Sequence, residues 1–487
     1  MKKLFITILT LFFFNFLSAQ EFYPLLLEKD QTNSLGINSE RTLKTCKLVR
    51  EAILLLSRCY DIFPRQISFS FNGGKDSTVM LTLVWIALQR IRNGFPQPYQ
   101  LKRPVHVVCN DTMVENPIIS TYVEDVLAKI EISAREQGLP IFVKKTTPKL
   151  EETFWFNLIG KGYPVPNNTF RWCTDRLKIR PTASFLHDQI DEKGEAVVLI
   201  GTRYDESKSR ERSMRKHENK GNRLSKHTTS INTYVYAPIK DMVVEEIWYV
   251  INAVPSPWGF DNSILFKIYA DASADDYECP TVVTNKEHKT CGQSRFGCWT
   301  CTVVKEDKSM AALVHNGQDW MAPLLKFRSQ LVHDRNLTEN RSKYRRNGQV
   351  ALNDEGEDFG RMSAGYCARI LKQLLTIQLE VQKTRPDLIL ITNQELIAIQ
   401  VIWNRDMNFD YHVSNIYQEV YGRALNTNNM KALDHTERRL LKDTHIASKL
   451  VFEVSEFGLQ QNIKASKRFI DMVHRVGARI TVERFGV

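Results

Sequence analysis

The stretch FNGGKDSTVM, Phe71 to Met80, decides the fold because it joins a strand pattern to a helix pattern. The run Ile67-Ser68-Phe69-Ser70 before it alternates like a strand, and Ser77 to Ile91 after it reads as a mostly apolar helix. Gly73 and Gly74 allow a backbone to approach an anion closely, where a Cβ would collide. The N–H groups and positive dipole end of the helix favour the same ligand. The stretch therefore predicts a phosphate-binding loop.

Two further residues of the loop suit a phosphate. Lys75 supplies a compact positive charge, and Ser77 can cap the helix or donate to a phosphate oxygen. The spacing excludes the P-loop of mononucleotide kinases, which needs four residues between its first glycine and its Gly-Lys pair. It also excludes a dinucleotide-binding GxGxxG.

Alternating strand and helix patterns surround this loop. Further strands are predicted at Val105–Cys109, Ile141–Lys144 and Ala196–Ile200, with helices at Thr42–Tyr60 and Ile118–Gln137. Apolar β-branched runs separated by helices are typical of a parallel sheet covered on both faces. We therefore predict a doubly wound α/β domain over residues 40–255, with ligands at the carboxyl ends of its strands.

The rest of the chain has a different character. Residues 256–330 are rich in turns, aromatic residues and cysteines and are predicted to form a metal-stapled insert, whereas 331–487 are predicted to be helical and basic. With 43% hydrophobic and 25% charged residues, the 487-residue chain is of the globular class and not disordered or fibrous. Its net charge of +11 indicates a polyanionic partner.

The first 20 residues, MKKLFITILTLFFFNFLSAQ, have the form of a secretory signal peptide. Cysteine usage argues against export, because an odd number of cysteines with one local CxxC cluster indicates a metal site and not a disulfide framework. We expect a misplaced start or an unusual N-terminus, a cytoplasmic protein and no membrane association.

Four cysteines, Cys279, Cys291, Cys298 and Cys301, are spaced C-x11-C-x6-C-x2-C. Thiolates on tight turns can enclose a zinc ion or an iron–sulfur cluster, and the spacing does not choose between them. Cys173 lies apart, in FRWCTDRLKIRP (170–181), among basic residues that are expected to lower its pKa and favour a thiolate. Cys173 is therefore either a sulfur carrier or a further cluster ligand.

The NGGKDS segment resembles the SGGKDS signature of the PP-loop ATP pyrophosphatases (adenine nucleotide α-hydrolase-like proteins), with Asn72 in place of the usual serine. The resemblance implies that ATP, split between its α- and β-phosphates, is bound by Asn72, Gly73, Gly74, Lys75, Asp76 and Ser77. It places the base or ribose near Asp111, in CNDTMVENP (109–117). The stretch GTRYDESKSRERS (201–213) is similar to the phosphoadenylylsulfate-reductase branch, and its Arg203 and Arg210 are expected to grip phosphates in bidentate fashion.

The order of NGGKDST, NDTMVENP, FRWCTDRLKIRP, YAPIKDMVVEEIW and CGQSRFGCWTCTVVKEDKSM over residues 70–310 strongly resembles the DndC family, the sulfurtransferases of bacterial DNA phosphorothioation. The resemblance implies a 4Fe-4S cluster instead of zinc, with DNA, a cysteine desulfurase and other Dnd proteins as partners. It also implies catalysis by Lys75, Mg²⁺ and Asp76. The basic stretches 203–226 and 343–346 then suit DNA phosphates.

Three other functions stay open. An adenylylsulfate reductase has the same fold, but it usually needs a C-terminal redox cysteine motif, and here Cys367 stands alone as the last cysteine. A tRNA thiolase would depend on tRNA. A catalytically idle DNA-binding subunit that holds ATP is the non-enzyme alternative, and the intact Lys75, Asp76 and Ser77 speak against it.

Overall fold

The computed structural model of the protein describes residues 45, 47–49, 51–53, 56, 66–93, 101, 103–193, 195–217, 224–227, 232–272, 296–425, 450–451 and 480–481. The predicted leader (1–20) and the cysteines Cys279 and Cys291 lie outside these residues. Among the helices that are described, none combines the length and the apolar character needed to span a bilayer.

The chain divides into two compact units, each assembled from separate segments. Unit 1 is Met1–Asn110, Ile118–Thr146 and Thr182–Arg295, and unit 2 is Asp111–Pro117, Thr147–Pro181 and Phe296–Val487. These units do not coincide with the domains drawn from the sequence, because residues 147–181 group with the C-terminal part of the chain.

Unit 1 contains a six-stranded sheet, which confirms the predicted α/β fold. Its strands are β1 (Gln66–Ser70), β2 (Val105–Asn110), β3 (Ile141–Thr146), β4 (Ala196–Leu199), β5 (Ser225–Lys226) and β6 (Thr233–Tyr236). The spatial order is β3-β2-β1-β4-β6-β5, and only β5, at one edge, is antiparallel to its neighbour. Ile67 pairs with Val105 on one side and with Val197 on the other, so β1 is buried in the middle of the sheet.

Helices connect these strands. They are α1 (Lys75–Asn93), α2 (Pro117–Glu136), α3 (Arg180–Lys193), α4 (Lys208–His217), α5 (Val244–Ala253) and α6 (Asn262–Asp271). The helix α1 is buried along most of its length, as expected for an apolar helix in a doubly wound fold. The Trp85 indole lies 5.8 Å from that of Trp258 and donates to Gln137 Oε1 at 2.8 Å, which ties α1 to the loops after α2 and α5.

The strand order places a topological switch point between β1 and β4. From β1 the chain proceeds to β2 and β3 on one side, and it then returns to β4 and β6 on the other. The loops after β1 and β4 therefore diverge at the carboxyl ends of adjacent strands. A crevice of this kind is where open α/β sheets bind ligands.

Unit 2 is mainly helical. Its helices are α7 (Lys308–His315), α8 (Ala322–Asp334), α9 (Ala364–Val381), α10 (Asn393–Arg405) and α11 (Val413–Tyr421), and π-helical turns occur at Phe156–Gly160 and Thr174–Ile179. The short strands β7 (Leu450–Val451) and β8 (Ile480–Thr481) form one parallel pair. Thr392 and Glu395 form a capping box at the start of α10, which satisfies N–H groups that would otherwise lack partners.

Long-range packing explains why residues 147–181 belong to unit 2. The buried Trp155 donates to Leu390 O at 2.7 Å, and its ring lies 5.8 Å from that of Trp299. In return, Trp403 of α10 donates to Ile159 O at 3.0 Å. Burying large aromatic side chains against α10 removes more apolar surface from water than an exposed loop would.

We predict that Arg328 stabilises unit 2 strongly. Its guanidinium is buried and donates to the carbonyl oxygens of Cys301 (2.9 Å), Lys305 (2.7 Å) and Val304. Arg328→Met would leave these carbonyls without their donor, so we expect the free energy of unfolding to fall by about 2–4 kcal/mol in denaturant titrations. The control Lys372→Gln removes an exposed ion pair with Glu419 and should cost about 0.5 kcal/mol or less. Equal losses for the two variants would contradict this role.

Candidate functional site

The loop between β1 and α1 has the conformation that its glycines predict. Gly73 has φ +72°, and a Cβ built there would lie only 2.4 Å from Val123 Cγ2 of α2. A Cβ on Gly74 would lie 3.1 Å from Asn72 Oδ1 and 3.3 Å from the Tyr269 hydroxyl. Gly73 therefore requires glycine, for its backbone angle and for lack of space, whereas a Cβ at Gly74 would fit only if the Asn72 and Tyr269 side chains shifted by a few tenths of an ångström.

Asn72 and Ser77 fix the loop from within. Asn72 Oδ1 accepts hydrogen bonds from Gly74 N (3.0 Å) and Ser77 Oγ (2.8 Å), and Ser77 Oγ also lies 2.9 Å from Gly74 O. Asn72 is exposed, and its amide nitrogen has no partner among the described residues, so it can donate to a ligand.

Lys75 stands at the start of α1 against an aromatic ring. Its Nζ lies 5.1 Å from the ring centroid of Tyr269, and its backbone N–H is 3.4 Å from the Tyr269 hydroxyl. Sequence reasoning missed Tyr269, because nothing local distinguishes one aromatic residue within an apolar helix. The ring holds the ammonium by a cation–π contact, which keeps the charge beside the glycine loop.

Asp76 is held by a buried arginine that follows β4. Arg203 Nε donates to Asp76 Oδ1 at 2.6 Å, while its Nη1 reaches Asp205 Oδ2 (3.3 Å) and Met242 O (3.2 Å). Arg203 is only 3% exposed. Its contacts make it a residue that positions Asp76, and the predicted grip of Arg203 on a phosphate stays a prediction. The pair joins the loops of the two strands that flank the switch point.

Arg210 lies in a cavity of unit 1 at the carboxyl ends of β4 and β6. It forms an ion pair with Glu206 at 3.0 Å and is 39% exposed. The cavity has a volume of about 840 Å³, an apolar floor that includes Val198 and Val235, and basic walls that include Lys226. Its size is that of a small-molecule site. Arg210 can therefore meet an anion only after release from, or together with, Glu206.

In unit 2, the CxxC turn is fastened to the segment that follows β2. Cys301 N donates to Cys298 O at 2.9 Å and closes the turn. Cys298 pairs with Glu115 in an antiparallel bridge, and Trp299 N donates to Val114 O at 3.0 Å. These backbone bonds fix the position of both thiols.

Polar groups surround the Cys298 thiol. Its Sγ lies 3.3 Å from Thr112 Oγ1 and 4.0 Å from Glu115 Oε1, and Thr112 donates to the same carboxylate oxygen at 2.9 Å. Burial raises the pKa of Cys298, and the negative Glu115 raises it further. Burial also raises the pKa of Glu115. Sequence reasoning assigned this segment to a nucleotide and missed Thr112 and Glu115 as neighbours of a thiol.

Lys178 is the cation that these groups share. The Cys298 thiolate is the main cause of its raised pKa, and Glu115, Cys301 and Cys173 add to it. The structure thus brings Cys173 together with the CxxC pair. The positive charge of one ammonium stabilises each thiolate near it. Burial has the opposite effect, because it favours the neutral form of each thiol.

The expected low pKa of Cys173 is wrong for the protein without a metal. Burial raises its pKa, and the charge of Cys301 raises it further. The basic neighbours are engaged elsewhere: Arg180 pairs with Asp175 (2.7 Å) and with Glu152, and Arg171 donates to Asn168 (2.9 Å). Of the basic residues in this stretch, Lys178 opposes the rise in the pKa of Cys173 but does not overcome the effect of burial.

Asp111 begins unit 2 immediately after β2. Its Oδ1 accepts a hydrogen bond from Met113 N at 2.7 Å, which stabilises the positive φ (63°) of Met113. The predicted contact of Asp111 with a base or ribose stays a prediction.

The described cysteines suit an iron–sulfur cluster by chemistry but do not complete a site. Cys298, Cys301 and Cys173 are thiol donors in one neighbourhood, with a cation that offsets their negative charge. Among the residues that the structure describes, no group of three or more His, Cys, Asp or Glu side chains is arranged to hold a metal ion. The remaining predicted donors, Cys279 and Cys291, lie outside these residues.

We predict that Gly73→Ala abolishes anion binding by the loop. The new Cβ must displace Val123 or the loop itself, so we expect the affinity for pyrophosphate, measured by calorimetry, to fall at least about tenfold. Gly317→Ala is the matched control, because Gly317 also has a positive φ (98°) but nothing lies within 4 Å of its Cβ position. Equal affinity in the Gly73 variant and the control would contradict a binding role of the loop.

Comparison with known proteins agrees with this geometry. The family model for the phosphoadenosine phosphosulfate reductase domain matches residues 66–304. An uncharacterized protein of Methanocaldococcus jannaschii is 27% identical over 170 residues, which are 35% of this chain and 29% of that protein. An uncharacterized nin region protein of Escherichia phage lambda is 29% identical over 153 residues, 28% of this chain and 48% of that protein. The chain thus spans less than half the length of these relatives.

Three solved structures match part of the chain. A Candida glabrata FMN adenylyltransferase, bound to FAD and inorganic pyrophosphate, is 16% identical with a TM-score of 0.30 and covers 48% of this chain and 65% of its own. A phosphoadenylyl-sulfate reductase from Candida auris is 15% identical, with a TM-score of 0.27, and the match covers 44% of this chain and 85% of the reductase. A U34-tRNA thiolase from Methanococcus maripaludis with its 4Fe-4S cluster is 15% identical, with a TM-score of 0.26, and the match covers 46% of this chain and 73% of the thiolase. From the family match and the loop at the switch point, residues 66–304 form a phosphoadenosine phosphosulfate reductase-like PP-loop domain.

Proposed function

We propose that the protein is an ATP pyrophosphatase that transfers sulfur to DNA, replacing a non-bridging phosphate oxygen. The observation that carries the nucleotide part is the glycine cradle at the switch point. There, the tight turn at Gly73, which has a positive φ, leads into α1, and Lys75 and the N-terminus of α1 supply positive charge. A triphosphate bound there has its charge neutralised as pyrophosphate departs.

The chemistry has two displacements. A non-bridging oxygen of a DNA phosphate attacks the α-phosphorus of ATP, so pyrophosphate leaves and the DNA phosphate becomes adenylated. A second thiol reduces the delivered persulfide to hydrosulfide and ends in a disulfide; the hydrosulfide then attacks the DNA phosphorus to form the P–S bond, and AMP departs with the original oxygen. Asp76, oriented by Arg203, would position Mg²⁺ or the attacking oxygen, while Lys75 would stabilise the negative charge that develops on the phosphates.

The thiols of unit 2 would hold the sulfur-handling group. Cys298, Cys301 and Cys173, with a donor from the Cys279 and Cys291 segment, would bind a 4Fe-4S cluster. Such a cluster supplies iron, which binds soft sulfur ligands. Thr112 would hold the Cys298 sulfur in place, and Lys178 would offset the negative charge of the thiolates. A cysteine desulfurase would deliver the sulfur, and other Dnd-type proteins would be its partners.

A second candidate is reduction of a phosphoadenylylsulfate-like sulfonucleotide. It is favoured by the family match over residues 66–304, whose description names that reaction. The two candidates differ in their products: the reductase releases sulfite and makes no pyrophosphate from ATP.

The main prediction concerns DNA from cells that carry the protein with its partners. Digested DNA should contain phosphorothioate-linked dinucleotides, measured by mass spectrometry, and the purified protein should form AMP and pyrophosphate from ATP. Lys75→Ala should lower both by about 100-fold or more, because the charge that neutralises the leaving phosphates is lost. The control Lys372→Gln should leave both unchanged. ADP and orthophosphate as the only products, or sulfur found in tRNA alone, would exclude the proposal.

A second prediction separates the two roles of Cys173. If it is a cluster ligand, as its nearness to Cys301 indicates, Cys173→Ala should lose iron and absorbance near 400 nm as fully as Cys298→Ala does. Cys367→Ala is the control. Cys367 lies in α9, and its buried Sγ lies 3.6 Å from Leu158 O. Full iron content in Cys173→Ala with loss of sulfur transfer would instead assign a carrier role.

A further inference from the structure

Two cations of unit 2 converge on one buried amide. Asn157 is fully buried, and its Oδ1 accepts hydrogen bonds from Arg176 Nη1 and from Lys161 Nζ (3.4 Å). The Asn157 amide nitrogen is anchored to Thr153 O at 2.7 Å. Lys161 Nζ also donates to Glu151 O at 2.7 Å. The ammonium and guanidinium are therefore held in place before any ligand arrives, and an acceptor that binds them loses little side-chain entropy.

Aromatic rings complete the same patch. The Arg176 guanidinium lies 4.8 Å from the ring centroid of Tyr163 and donates to its hydroxyl at 3.1 Å. Lys161 Nζ lies 4.9 Å from the Phe156 ring. Phe170, whose ring lies 6.4 Å from that of Tyr163, is 44% exposed. Cations beside an exposed aromatic side chain are the combination that binds nucleic-acid backbone and base together.

The positive charges of this patch lack carboxylate partners. Within the described part of the chain, neither Lys161 nor Arg176 forms an ion pair. Glu152, which faces Lys161, pairs with Arg180, and Glu151 is exposed. Burial, and then the charges of Arg176 and Arg346, lower the pKa of Lys161 to about 8. Glu151 and Glu152 act on Lys161 in the opposite direction but more weakly, so an anionic ligand would relieve the repulsion that remains between the cations.

Arg346 belongs to this patch as support. It donates to Lys161 O at 3.2 Å, while Asp406 holds its guanidinium at 2.7 and 3.1 Å. Arg346 belongs to the basic stretch 343–346, which was predicted from the sequence to contact DNA phosphates. Its guanidinium instead contacts other residues of the protein. Tyr344, 51% exposed, lies on the same hairpin, where it pairs with Val350.

We propose that Lys161 and Arg176 bind a backbone phosphate of DNA, with Phe170 against the adjoining nucleotide. The inference rests on the proposed function for its choice of DNA, and it adds a binding site to it. Asn157 and Arg346 position the two cations, and the hairpin that carries Tyr344 continues the same surface.

The test measures binding of the full-length protein to a fluorescein-labelled 30-base-pair DNA duplex by anisotropy at several salt concentrations. Each phosphate contact contributes about 0.9 to the salt dependence of log K, so Lys161→Gln and Arg176→Gln should each weaken binding about eightfold at 0.1 M salt and lower the slope by about 1. Lys161→Arg should restore both values. Lys372→Gln removes the same charge from an exposed pair of unit 2 and should change neither.

A second readout follows from Lys161 itself. A bound phosphate favours its charged form, so at pH 8 DNA binding should be accompanied by uptake of part of a proton. Calorimetry in two buffers of different ionisation enthalpy measures this uptake, which should vanish in Lys161→Arg. DNA affinity should accordingly fall as the pH rises through about 8 in the wild type.

The outcomes separate this inference from the proposed function. A wild-type protein that binds no DNA overturns both. DNA binding that Lys161→Gln and Arg176→Gln leave unchanged, together with normal thiolation of DNA, overturns this inference alone. If the two variants lose affinity only for free pyrophosphate, this inference is also overturned, because the cations then form a small-anion site. It is likewise overturned if they lose affinity only for an RNA of the same sequence.

Discussion

The close approach of Gly73 to Val123 is the constraint on which the nucleotide loop depends. A positive φ and a Cβ position only 2.4 Å from a neighbouring methyl group leave room for hydrogen alone. Because Val123 of α2 occupies the space behind Gly73, no larger residue fits at this turn. Asn72 and Ser77 then close the turn from the inside. The shape of this loop thus arises from packing as much as from its own hydrogen bonds.

The Asp76–Arg203 pair links the loop after β1 to the loop after β4, the two loops that flank the switch point. Arg203 is almost fully buried, and its guanidinium also satisfies Asp205 and Met242 O. Removing one partner of a buried pair typically costs about 3–5 kcal/mol, since the other charge remains without compensation. The loops after β1 and β4 are therefore coupled, and a ligand that contacts Asp76 acts on a group that is already oriented.

Local patterns were sufficient for the sheet and the loop but not for the partition of the chain. The strands around Ile67, Val105 and Ala196 were predictable because burial on both faces leaves continuous apolar runs. The grouping of residues 147–181 with unit 2 depends on Trp155 meeting Leu390, a contact across 235 positions that no local pattern encodes. The prediction of a low pKa for Cys173 was wrong for the same reason, because the burial of this thiol and the nearby charge of Cys301 are not encoded in FRWCTDRLKIRP.

Net charge indicates a polyanionic partner, but the contacts of each cation decide which residues meet it. Arg203 and Arg346 each have a carboxylate partner, so their charge is neutralised within the fold. Lys161 and Arg176 differ, because an amide and a phenol hold them in place without neutralising them. A neutral acceptor fixes the geometry of a cation and preserves its charge for a ligand. This distinction, more than the surplus of basic residues, is what makes the patch around Asn157 suited to a phosphate.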